Sequence, residues 1–425
     1  MGEFERPFWE RGLKANAPIV LWREVGQVEM GRWRFEGEIT VFLDFWPTPK
    51  VLVAMEPRGL DCPDGDGEVV FRLPSGEHTM ECSLVENRCL ETKSDRVVLR
   101  PKQEWVIGDE NATVEFVGFG IPNFPPFHRD AEVIQLQAGP WLVSIVPAAG
   151  ATETCNQLKR RGGYGVTAIG RIRRIDERPF DYEEVASLMD ELQFFLSFVL
   201  GQWTGLLRPT GLDERDAVVW ERGSMRFLDP GPKQDNWFAS ECANSLGSVF
   251  RGFHERWNDL DDREAVRYAI NWYVRAKSRA AGVEGALVLS VAGLEMLTFW
   301  ILVRLAGTHS DEEYGDKSFG LARKLRKMFE VVGLPTGRSE MGAFVEQFGW
   351  PDDKAGPAGL NAMRNDLMHA RKALPSPVYK SGWWVAQWYL ELCLLWAFEY
   401  QGNYLDRRNL DSPPVPVPWA SRPTA

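Results

Sequence analysis

The chain has 425 residues, 44% of them hydrophobic and 26% charged. At roughly 150 residues per domain this predicts two or three globular domains, with core enough to need no disulfide or metal staple. Lys plus Arg number 49 against 60 Asp plus Glu, a net charge of −11, which excludes a globally basic coat protein for nucleic acid but leaves room for a local basic groove.

The first residues, MGEFERPFWERGLKANAPIV, carry charges where a signal peptide needs an apolar stretch. Arg6 stands where a myristoylation signal wants Ser or Thr. Cys62, Cys82, Cys89, Cys155, Cys242 and Cys393 include no C-x-x-C pair and no neighbouring His, so no metal site is expected and a reducing cytoplasm is.

Residues 17–150 read as strands. Segments 30–46, 49–55, 67–73, 95–100, 112–120 and 140–147 are rich in Val, Phe and Trp, and turn signals such as PDGDG and PSGE separate them. Short strands at this spacing predict an antiparallel sheet, sandwich or barrel. Residues 164–175 predict one more strand. After Pro179 the period changes. Asp181 is placed as an N-cap, and a helix runs to about residue 200, ended by Gly201 and Gly205. Residues 211–223 predict a hairpin and 224–238 a loop.

From about 239 to 405 the pattern is helical, with candidates at 239–257, 262–278, 284–305, 318–332, 339–348, 357–373 and 381–403. The expected class is therefore α+β: a β-rich antiparallel region (1–178), a joining helix, hairpin and loop (179–260), a helical bundle (261–405), and a Pro-rich, extended and mobile tail (406–425). Three apolar runs, 191–207, 285–303 and 383–400, could imitate membrane spans. Glu295 in the middle of the second would cost roughly 2.5–3.5 kcal/mol there. Buried helices of a bundle explain the runs better, so no membrane is expected.

No Walker loop, G-x-S-x-G elbow or H-E-x-x-H is present. The group that suits chemistry is in GLNAMRNDLMHARKALP (359–375). Arg364, Asn365, Asp366 and His369 fall together at the start of a predicted helix, just before the apolar final helix. An imidazole moves protons near neutral pH, a guanidinium holds a phosphate in a forked contact, and Asn orients either. Such a set suits metal-free RNA cleavage with the substrate's 2′-hydroxyl as nucleophile, and it needs no cofactor. R-x4–6-H also occurs at Arg72–His78, on a strand and turn, and at Arg304–His309, at the end of an apolar helix. Neither offers the polar residue after the Arg.

With Asn365 directly after Arg364, the segment resembles the signature of the HEPN superfamily, and the layout resembles the ApeA-like group of anti-phage defence proteins. The resemblance covers about residues 262–405. It implies a helical bundle, a homodimer with a composite cleft, and a catalytic set of Arg364, Asn365 and His369. It also implies a polar residue from a neighbouring helix near the motif. Glu295, alone in an apolar helix, could be that residue by pairing with Arg364, or it could lie at the solvent edge or bond Arg304.

Two basic stretches could hold RNA. Lys159, Arg160, Arg161, Arg171, Arg173 and Arg174 surround a Gly-rich turn with Tyr164, and Arg371 and Lys372 follow His369. The first could equally be a solvated hairpin. The expected function is a cytoplasmic, metal-independent endoribonuclease of a prokaryotic defence or toxin-type system. Transfer RNA is a candidate target, and the β-rich region would hold the enzyme in check until a phage-derived trigger or a complex partner releases it. The alternative is a non-catalytic HEPN-like dimerisation or binding subunit of a defence or CRISPR-associated assembly.

Overall fold

The computed structural model describes residues 14–420 except 46–49, 57–64, 74–75, 88–96, 103, 128–132, 224–227, 232–235, 279–281, 337–355, 370–374 and 409–411. The class is α+β, as expected. The chain divides into two compact units: residues 1–135, 139–192 and 204–232 form the first, and 136–138, 193–203 and 233–425 the second.

The first unit holds the strands β1 Ile19–Met30, β2 Trp33–Asp44, β3 Lys50–Met55, β4 Gly67–Leu73, β5 Gly76–Asn87 and β6 Val97–Pro101. These close into a barrel in the order β1–β2–β3–β6–β5–β4, antiparallel throughout. Closure leaves no free strand edge. Alternation along β2 explains the inside: Trp33, Phe35, Ile39, Val41 and Leu43 are buried, while Arg34 and Glu36 face out.

The later strands are β7 Trp105–Gly108, β8 Phe116–Pro122, β9 Ile134–Ala138, β10 Trp141–Pro147, β11 Val166–Arg174, β12 Leu207–Leu212 and β13 Val218–Gly223. They form a seven-stranded sheet ordered β7–β13–β12–β8–β11–β10–β9. The predicted hairpin at 211–223 is therefore β12–β13, built into this sheet, and the β-rich region extends past residue 178. Between β10 and β11 stands a helix that the sequence pattern did not predict, α1 Ala151–Arg161. It buries Ala151, Thr154, Cys155 and Leu158 at helical spacing. Small and polar side chains at those positions hid the period.

Helix α2, Tyr182–Leu200, begins as expected: the backbone N–H of Glu184 donates to Asp181 Oδ1 at 3.0 Å. Gly201 ends it at φ 60°.

The second unit contains α3 Leu246–Asn258, α4 Leu260–Ser278, α5 Gly282–Phe299, a π-helical turn Trp300–Leu305, α6 Asp311–Gly315, α7 Leu321–Val332, α8 Pro357–Met368 and α9 Ser376–Ala397. The candidate helix 339–348 lies outside the described residues. Among the described residues one helix, Gly282–Leu305, is long and apolar enough to cross a membrane, with mean hydropathy 2.1 over its best window. Of that window 61% is buried, so α5 serves as a core helix. Close approach fixes its neighbours. A Cβ at Gly293 would stand 3.0 Å from Trp272 Cβ on α4, and one at Gly382 of α9 would stand 2.6 Å from Met363 Sδ on α8.

The Pro-rich tail is a correction: it docks. Val415–Pro416 pairs as a short strand with Asn403–Tyr404. Trp419 is buried and donates its indole N–H to the Tyr400 carbonyl at 2.7 Å. Arg407 is fully buried against Glu391. One aromatic and one paired cation anchor a segment whose composition alone reads as extended.

Candidate functional site

The predicted set lies on α8 and α5. Helix α8 opens with Gly356 as cap and Pro357 in the first turn, and it buries Leu360 and Met363. Arg364, Asn365 and Asp366 follow on its half-exposed side. They stand in the second half of the helix, not at its start, and His369 is the C-cap. The helix starts where the candidate 357–373 placed it, at Pro357, and stops sooner, at Met368.

Helix α8 packs against α5. That contact brings Glu295 to Arg364, with Oε2 3.8 Å from Nη2. Arg364 Nη1 also donates to Asn365 Oδ1 at 3.1 Å. Glu295 is 46% and Arg364 31% exposed in their side chains, so the pair is wet and holds its geometry loosely. Three of the four expected residues are thus joined. His369 is not joined to them. Its backbone N–H donates to the Asn365 carbonyl at 3.0 Å, its ring is exposed, and among the described residues that ring makes no hydrogen bond with Arg364, Asn365 or Glu295. Five residues at 3.6 per turn set the two side chains roughly 140° apart around a regular helix.

The predicted RNA-binding residues fare unevenly. Lys159, Arg160 and Arg161 are exposed in the last turn of α1, where cations suit the helix dipole. They therefore precede the Gly-rich turn on a helix and are not one arm of a hairpin. Arg171, Arg173 and Arg174 lie on β11 and each has an acid. Arg171 pairs with Asp216 and lies 3.7 Å over the Phe116 ring. Arg173 sits 3.8 Å from Glu177. Arg174 forks onto Asp176 at 2.8 Å and reaches Glu184 at 3.4 Å. The fork onto Arg174 holds the Asp176 carboxyl down at about 2. Arg371 and Lys372 lie outside the described residues. The Arg304–His309 pair behaves as a helix end: Arg304 Nη1 donates to the Asp261 carbonyl at 3.0 Å, and the His309 ring stacks on Phe319.

Two features went unread in the sequence. The first is a groove of about 600 Å³ between α4, α5, the π-helical turn and α6. Trp272, Met296, Phe299, Trp300 and Tyr314 make it apolar, and Asp261, Glu264 and Glu295 give it carboxylates. Its walls are fixed: Trp300 Nε1 donates to Asp262 Oδ1 at 2.7 Å, and the Tyr314 hydroxyl is 2.7 Å from Thr298 Oγ1. Burial pushes the Tyr314 phenol up, and the Glu295 charge adds to the shift. The i, i+4 spacing of Glu264, Tyr268 and Trp272 was the available signal.

The second is a buried network. Arg407 Nε and Nη2 donate to Glu391 at 2.6 and 2.7 Å, and the Tyr273 hydroxyl donates to the same carboxylate at 2.6 Å. Burial drives the Tyr273 phenol well up, and Glu391 reinforces it. Burial alone would lower the Arg407 pKa, but the Glu391 charge more than offsets that and raises it. No sequence pattern joins residues 273, 391 and 407.

A family model described as the YopA C-terminal domain matches residues 259–414, and one described as the YopA central domain matches residues 109–234. The SPbeta prophage-derived uncharacterized protein YopA of Bacillus subtilis (strain 168) is similar at 27% identity over 276 residues. That similarity covers 63% of this chain and 61% of the relative, so the chain spans less than two thirds of the curated relative it matches. No solved structure matches. Helices α4, α5 and α8 and the Glu391–Arg407 pair all fall within the C-terminal match.

Proposed function

We propose that the helical unit is a metal-independent, HEPN-type endoribonuclease acting in the cytoplasm as part of a phage-related defence or toxin system. The observation that carries the reading is the Glu295–Arg364 ion pair across α5 and α8, with Asn365 bonded to the same guanidinium. It supports a cationic group aimed by its neighbours, with the exposed imidazole of His369 at the end of the same helix. The exposed cations Arg323 and Arg326 of α7, which packs against α8, would add positive charge for a phosphate chain, while Lys327 is held by Glu330 at 2.7 Å.

In the reaction the RNA 2′-hydroxyl attacks the adjacent phosphorus. The P–O5′ bond breaks, leaving a 2′,3′-cyclic phosphate and a 5′-hydroxyl. One proton leaves the 2′-oxygen and one arrives at O5′. His369 serves one of these transfers and water the other, while Arg364 offsets the charge that builds on the phosphoryl oxygens. A homodimer would set one copy's His369 against the other's Arg364.

The test is cleavage of total cellular RNA by the purified protein in EDTA, beside His369→Ala and Arg364→Ala. Cutting by wild type alone, with cyclic-phosphate ends, supports the reading. Equal cutting by all three, or binding of RNA with no cutting by any, defeats it. A second reading is a non-catalytic binding subunit of a larger assembly. The acidic groove beside Glu295 favours it, because carboxylates repel a phosphate chain.

A further inference from the structure

We propose that the groove between α4 and α5 is a docking site for a basic amphipathic peptide segment of a partner protein. Its apolar side chains would pack on Trp272, Met296 and Phe299, and its Lys or Arg side chains would pair with Asp261, Glu264 and Glu295.

Shape speaks for a peptide. Leu260, Glu264, Tyr268 and Trp272 recur at i, i+4 on one face of α4, a strip about 18 Å long at 1.5 Å per residue. Leu260, on the groove's lining, is 74% exposed, and Tyr268, outside it, is 56% exposed, so the apolar strip continues past the groove. Large apolar side chains in one open strip mark an interaction surface. A compact amine would fill the groove and leave Tyr268 in water. A helical or extended segment covers all of it, as in helix-in-groove recognition.

Charge decides which peptide. The carboxylates of Asp261, Glu264 and Glu295 oppose one cation, Arg304, which is already bonded to the Asp261 carbonyl. Glu264 pairs with Arg267 at 2.9 Å and Glu295 with Arg364 at 3.8 Å, both on the surface. Such pairs are weak enough for a guest cation to displace. The walls are pre-set by the Trp300–Asp262 and Tyr314–Thr298 bonds, so little ordering cost opposes binding.

Glu295 belongs both to the groove and to the Arg364 pair. A guest cation on Glu295 therefore competes with Arg364, and by linkage the loss of Arg364 strengthens the guest's hold. Occupancy of the groove would in turn loosen Arg364.

The experiment is calorimetric titration of the full chain with a short amphipathic Leu/Lys/Trp peptide and with its counterpart carrying Glu for every Lys. The basic peptide is expected to bind, more weakly as salt rises, and the acidic one not to bind. Glu264→Lys, on the surface, should weaken binding about tenfold, and Tyr268→Ala should weaken it as well. Arg364→Met should tighten it by about two- to fivefold. Circular dichroism checks that each variant is folded. The proposal falls if the basic peptide does not bind, if both peptides bind alike, or if neither Glu264→Lys nor Tyr268→Ala weakens binding. It falls equally if the groove is closed by a second copy that these variants release. Because binding is read without any cleavage, failure here and failure of the nuclease reading are separate results.

Discussion

The β-rich unit and the helical unit both set arginines against acids, but at different depths. In the first, Arg171, Arg174, Arg208 and Arg222 lie on strands and meet acids within the same unit: Asp216, Asp176, Glu221, and Glu104 with Glu110. Positive charge that looks plentiful along β11 is locally cancelled. In the second, Arg407 is fully buried on one carboxylate, and Arg364 holds Glu295 loosely at the surface. The lesson is that a run of basic residues measures available charge only where the turns and helices around it bring no acids. On β11 the acids come from the turn that follows the strand (Asp176, Glu177), from the β12–β13 turn (Asp216) and from α2 (Glu184).

The sharpest way to break the contrast is Arg407→Met. It leaves Glu391 charged and buried, and the helical unit should lose about 3–5 kcal/mol, read by denaturant unfolding. Adding Glu391→Leu should restore much of that, since a buried pair replaced whole by apolar groups costs little. Arg171→Met in the sheet should cost at most about 1 kcal/mol, because its pair is half exposed. Equal losses at the two positions would erase the distinction.

The same contrast explains what could be read in advance. Alternation in β2 and the cap at Asp181 are local signals, so β2, β3, β4, β6 and α2 were legible, while β1 and β5 fell inside the strand-rich region without being singled out. Helix α1 was not, because Thr154 and Cys155 occupy its buried face. The joining of Glu295 to Arg364 was legible as a possibility, since a lone carboxylate in an apolar helix needs a partner or water. The position of His369 at a helix end was not. It depends on where α8 ends, and the sequence pattern carried that helix on to residue 373 whereas it stops at Met368. The docked tail hangs on Arg407 and Trp419, whose partners are fixed only once α9 is in place.

A middle-sized effect lies at the groove wall. Trp300→Phe keeps an aromatic ring, trims the buried indole to a phenyl and removes the N–H bonded to Asp262, which is buried. The orphaned acceptor should cost about 1–3 kcal/mol in the same unfolding measurement. Asp262 retains Arg256 at 3.5 Å, which places the expectation toward the low end. Arg364→Ala should be smaller still in stability, at most about 1 kcal/mol, because its pair is wet. If Arg364 acts on a phosphate, cleavage in the same variant should nevertheless fall by about 100-fold or more. A large stability loss with an equal loss of activity would make Arg364 a strut and not a catalytic group.

The smallest effect is the one that depends most on pH. The Arg174 fork holds the Asp176 carboxyl at about 2, below its ordinary 3.8, with the Arg178 backbone N–H and charge adding to it. A carboxyl whose folded value is lowered contributes stability above its unfolded value, and that contribution is lost as pH falls through the folded one. Asp176→Asn should therefore lower the stability of the β-rich unit near neutral pH. The difference from wild type should shrink as pH falls below 3.8 and vanish toward 2. Asp176 is half exposed, so added salt should flatten the whole dependence. If the difference persists unchanged at low pH, Arg174 is held by Glu184 and by its stacking over Trp141, and the strand's positive charge is cancelled by packing and not by Asp176.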